Sequence, residues 1–119
     1  MDIEAEQMKA LALFAMQKYE QAAASAYTVL KADAAWDWTM LRQMYPSREM
    51  YVQQLRTLQA SAGQPTASAG VHFLLAYHWL MLDQMDAARA ELIKTRQLQP
   101  DNQLVGDLLA SLPPAVVEP

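Results

Sequence analysis

The chain has 119 residues, 53% of them hydrophobic and 18% charged, which suits one compact domain or a few repeat units and excludes an intrinsically disordered segment. A net charge of −4 with only nine Lys and Arg leaves no basic stripe for nucleic-acid phosphates. Zero cysteines and three glycines remove disulfides, thiolate metal sites and thiol catalysis, and argue for helices joined by short turns rather than a sheet.

The unbroken apolar runs are too short to cross a membrane. Asp2, Glu4 and Glu6 stand where a secretory leader needs basic residues. Cytoplasmic placement is the favoured expectation.

In chain order, residues 4–16 predict a first helix, with Met8, Leu11, Ala12 and Ala15 at three- and four-residue steps. Gln17-Lys18 interrupts the pattern. Tyr19 restarts it, and Ala22, Ala26, Val29 and Leu30 continue the stripe, so the two helices form a hairpin. Trp38 to Met44 predicts a short helix ended by Pro46. Ser47 is then an N-cap for a helix to about residue 61, its apolar face Tyr51, Leu55 and Leu58.

Gly63 and Pro65 mark an inter-helix loop. The helix expected over 66–82 is apolar on almost every side, and such a helix is buried all round or offers one face to a partner. Asp83-Gln84 makes the turn, Asp being tolerant of left-handed backbone. A helix over 85–99 follows, with Ala88, Leu92 and Leu98 inward and Arg89, Glu91, Lys94 and Arg96 outward. From Pro100 a last helix runs to Leu112, with Leu104, Leu108 and Leu112 aligned, before Pro113-Pro114 stops it.

Within 69–102, Leu75-Ala76, Trp79, Ala88, Leu92 and Pro100 have the spacing of a tetratricopeptide repeat, whose 34-residue unit is a helix pair with small residues at fixed positions. His72, Thr95 and Asp83 stand where that family usually has a large aromatic, an alanine and a glycine. Residues 3–34 resemble the same unit more loosely, through Ala10, Leu13, Tyr19-Glu20-Gln21-Ala22 and Ala26, with Glu6, Lys9 and Ala34 departing from it. The middle, 36–61, supplies a divergent helix pair. Its Trp36-Asp37-Trp38, Leu41 and Tyr45-Pro46 resemble a divergent bacterial group of such proteins.

The expected architecture is therefore all-α: a single domain over 1–112, about seven helices in a right-handed array, capped by residues 101–112 and followed by a frayed tail, 113–119. A closed helical bundle is the competing arrangement.

Chemistry is hard to find. His72 and His78 are six apart, where a helical metal pair needs four, so they fall on different faces as packed or surface side chains. Asp83 and Asp86 are a turn residue and a helix N-terminal charge. No serine has a nucleophile elbow or a neighbouring base. No enzyme activity, cofactor or metal is expected.

The resemblance implies a protein–protein interaction module, a scaffold or adaptor. Its groove positions would be Phe73, Tyr77, Leu80 and Met81 in the last unit and Gln7, Leu11 and Phe14 in the first. Trp36, Trp38 and Tyr45 form either a partner platform or core filling. The eight methionines suit an adaptable groove or gap filling. The groove face is apolar: it binds an apolar or amphipathic helix, or it closes on the chain's own middle segment. Two other classes stay open, self-association into homo-oligomers and a bundle enclosing a small apolar ligand.

Overall fold

A computed structural model describes residues 3–32 and 45–113. Those residues form six helices and no strand: α1 (Ile3–Ala15), α2 (Tyr19–Lys31), α3 (Arg48–Ala62), α4 (Ala69–Met81), α5 (Met85–Leu98) and α6 (Gln103–Ser111). The all-α expectation holds. The seventh expected helix, over 38–44, lies outside the described residues, as do Trp36, Trp38 and the 114–119 part of the tail.

Polar side chains start three of the helices. Ser47, Ser68 and Asn102 each accept a hydrogen bond from a backbone N–H three residues on, at Met50, Val71 and Val105, all at 3.2 Å. Each satisfies a donor that the first turn would otherwise leave unpaired. The Ser68 cap makes α4 begin at Ala69 rather than near Thr66, and the Asn102 cap starts α6 at Gln103, beyond Pro100.

Two turns close helices in the same way. Gln17 and Asp83 both adopt left-handed backbone, with φ of 60° and 59°. The N–H of the following residue reaches back five positions, Lys18 to Leu13 at 2.9 Å and Gln84 to Trp79 at 2.8 Å. Gln17 and Asp83 themselves donate to the carbonyls of Phe14 and Leu80. These are Schellman closures in which neither position is glycine. They fold α1 onto α2 and α4 onto α5, the two tightest helix pairs.

The hairpins pack directly on each other through α2 and α4, α3 lies against α4, and α6 covers α5. Helix α4 is the centre of the molecule. Nine of its thirteen residues are buried, as expected of a helix apolar on every side.

Three helices bury faces that differ from those their periodicity predicts. In α1 the buried residues are Ala10, Leu11 and Phe14, whereas Met8 is 47% exposed and Ala12 and Ala15 face outward. That helix is apolar on both sides, so periodicity alone chose badly. In α5, Leu98 is 54% exposed and Glu91 is buried, because Glu91 turns inward to meet His72. In α6, Val105 joins Leu108 and Leu112 in the core, and Leu104 is only partly covered.

Candidate interaction face

Phe14 of α1 meets His78 of α4, and α3 lies against α4 beside that contact. Tyr51 of α3 reaches both. Its ring lies 6.0 Å from Phe14 of α1 and 5.7 Å from His78 of α4, between centroids. Phe14 and His78 are themselves 4.1 Å apart. Leu55, Leu58 and Ala62 continue the buried side of α3. Tyr45 packs edge-on against Tyr51 at 5.2 Å, and its hydroxyl donates to Gln54.

One polar contact joins α3 to α4. The Tyr51 hydroxyl and His78 Nδ1 share a hydrogen bond of 2.8 Å in the interior. His78 is fully buried, and its Nε2 has no partner among the described residues. Burial penalises the imidazolium, so the pKa of His78 falls from its ordinary 6.5 to about 3, leaving the ring neutral at neutral pH. Burial likewise pushes the Tyr51 phenol far above its ordinary value, with the nearby hydroxyls of Tyr45 and Tyr77 adding to it. The same desolvation raises Tyr45 and Tyr77 to about 12.

The side chains expected to meet a partner fall in this region. Leu11, Phe14, Tyr77 and Leu80 are each 1% exposed, and Phe73 and Met81 are hardly more. Phe73 packs on Tyr27 of α2, ring centroids 5.8 Å apart. As the chain stands, all six lie inside the molecule. Trp36 and Trp38 lie outside the described residues. Of the methionines expected to line a groove or fill gaps, Met81 is buried while Met8, Met16 and Met50 are exposed.

His72 is on a different face of α4, as its spacing from His78 requires. Its Nδ1 meets Glu91 Oε2 at 2.7 Å, the pair almost wholly buried, and Lys94 lies 3.5 Å from the other carboxylate oxygen. This ties α4 to α5. Asp86 pairs with Arg89 one turn on, at 2.9 Å. Among the described residues no group of three His, Asp or Glu is placed to hold a metal ion, and no helix is long and apolar enough to cross a membrane.

Sequence reasoning missed the contacts of three of these residues. Tyr51 was visible as the start of an apolar stripe, and His78 as a polar residue inside an apolar run. Neither pattern disclosed their pairing, 27 positions apart. Glu20 gave no local signal: it accepts a hydrogen bond from the Ser68 hydroxyl, bringing α2 to the N-terminus of α4.

Compared with protein-family models, curated proteins and solved structures, the chain has no significant match in any of the three.

Proposed function

We propose that this chain is a protein–protein interaction module, a scaffold or adaptor piece built as a short tetratricopeptide-like stack. One observation carries the reading: the second hairpin repeats the first. The Gln17 turn recurs at Asp83, 66 residues on, with the same backbone hydrogen bonds. At that offset six buried residues of the first hairpin fall on buried residues of the second, Ala10 on Ala76, Leu11 on Tyr77, Phe14 on Leu80, Ala22 on Ala88, Ala26 on Leu92, and Val29 on Thr95, whereas buried Leu74 and His78 fall on exposed Met8 and Ala12, and buried Leu30 on exposed Arg96.

The offset is close to two units of about 34 residues. Alanines at Ala10, Ala76, Ala22 and Ala88, all at most 1% exposed, supply small side chains where paired helices cross. Direct packing of α2 on α4 fits hairpins stacked as successive units, with α3 set to one side. Stacks of this kind serve by displaying a helical face.

The test is capture from an extract of the native host on the immobilised full chain, followed by calorimetric titration of each captured protein after purification. A saturable complex supports the reading. Absence of any complex that survives purification contradicts it.

Self-association is the second reading, favoured by the exposed Met8, Met16, Met50 and Leu98. Light scattering decides it, since a strict monomer at high micromolar concentration removes it. For an enclosed apolar ligand, native mass spectrometry of the purified chain is the corresponding test.

A further inference from the structure

We infer that the side of α4 carrying His78, with Phe14 of α1 beside it, is a helix-binding site which the chain fills with its own α3, and that a partner helix of the same pattern binds by displacing α3. The inference deepens the interaction reading above and rests on it. Its starting point is that this face is already seen holding a helix.

The occupant defines what fits. Along α3 the seated side chains are Tyr51, Leu55, Leu58 and Ala62, an aromatic hydroxyl followed by leucines at +4 and +7 and a small residue at +11. The other side of α3 carries Arg48, Glu49, Gln53, Arg56 and Gln59, all exposed. That is the pattern of an amphipathic helix lying in a groove, read by anchors one or two turns apart. The face offers Phe14 for stacking and His78 Nδ1 for the aromatic hydroxyl, so it selects a tyrosine over a phenylalanine at the first anchor.

The rest of the architecture makes α3 separable. The hairpins hold one another through α2 and α4, α5 is held by α4 and His72–Glu91, and α6 by α5. None of these contacts passes through α3. Its own seat includes a buried polar pair and an unpartnered Nε2, and a buried unsatisfied nitrogen weakens the seat it belongs to. The loop over 63–68, with Gly63 and Pro65, keeps a released α3 tethered. A tethered competitor holds a high effective concentration, so an external helix binds weakly until α3 is disabled.

The experiment uses the full chain and a fluorescently labelled peptide copying residues 47–63. The chain is taken as wild type and as the double variant Leu55→Asp/Leu58→Asp, which removes two of α3's four anchors and changes no residue of either hairpin. The expected result is that the double variant retains most of its helical circular dichroism and cooperative melting. It should also bind the peptide about tenfold or more tightly than wild type does, as the self-occupied fraction is released. A peptide with Tyr51→Phe should bind several-fold more weakly than the copy, and one carrying both aspartates should not bind.

Collapse of the double variant's helical signal would make α3 an integral part of the core and overturn the proposal. So would a folded double variant that ignores the peptide, or one that fails to distinguish it from the aspartate control. Any of these outcomes removes α3 exchange alone, since capture of host proteins on the wild-type chain is a separate readout.

Discussion

At the residue scale the decisive side chain is His78. It is neutral in the fold, with a pKa of about 3 against an ordinary 6.5. Above pH 6.5 neither folded nor unfolded chain protonates it, so it adds no pH dependence. Below 6.5 the unfolded chain takes up a proton that the folded chain refuses. Stability therefore falls as pH drops from about 6.5 towards 3, by on the order of 1 kcal/mol per pH unit from this group. Urea unfolding at intervals across that window should show a slope that is shallower in His78→Gln by this group's share. At the alkaline end the sign reverses its direction: Tyr45 and Tyr77, raised to about 12, stay protonated when the unfolded phenols ionise from pH 10 upward. Stability is lost as pH rises from 10 towards 12, which an ultraviolet phenolate titration beside circular dichroism would follow.

Tyr77 and Leu80 belong to this scale as well. Both are 1% exposed, and truncating a buried leucine or aromatic costs about 2–5 kcal/mol each. The double change Tyr77→Ala/Leu80→Ala should abolish cooperative melting near ambient temperature. A variant that melts like wild type would show that these side chains do not hold the core. Their burial was one of two readings the sequence left open. A run such as Phe73-Leu74-Leu75 shows that a helix is apolar all round, but which neighbour covers each side depends on contacts with α1, α2 and α3, remote in the chain.

At the element scale the turns are the informative pieces. Left-handed backbone strains any residue with a Cβ, and less so aspartate than glutamine. Gln17→Gly and Asp83→Gly should therefore both stabilise the chain, by up to about 1 kcal/mol, with the larger gain at Gln17. Chemical denaturation of the two variants checks the ordering; equal or negative changes would mean that the turn geometry is wrong. The N-caps give the opposite sign: Ser47→Ala, Ser68→Ala and Asn102→Ala should each cost about 0.5–2 kcal/mol. Ser68 should lie towards the upper end because it also binds Glu20.

These elements were largely legible in advance. Ser47 as a cap, the break at Gln17-Lys18, the turn at Asp83-Gln84 and the stripes of α2 and α3 all follow from local chemistry, which acts within a few residues. The inward face of α1 did not. Met8, Ala12 and Ala15 on one side and Leu11 and Phe14 on the other are alike in hydropathy, and the choice was made by what packs above them. Glu91 was misplaced for a related reason. A glutamate is outward by default, and only a partner such as His72, 19 residues earlier, makes the inward position tolerable.

At the scale of the whole molecule two hairpins are held together by α2 and α4, with α3 laid against α4. The helix pair over 69–102 was legible in its spacing. That the first hairpin closes with the same turn became visible only once Gln17 and Asp83 could be compared as backbone. The seating of α3 on α4 depends on Tyr51, Phe14 and His78 meeting, a contact set that no local pattern encodes.

The most direct test of this arrangement is native-state hydrogen exchange on the unmodified chain. The account predicts that the amides of α3 exchange through a partial opening of lower free energy, while the central amides of α2, α4 and α5 exchange only on global unfolding. Equal protection of α3 and α4, with both tracking global stability across denaturant, would contradict it.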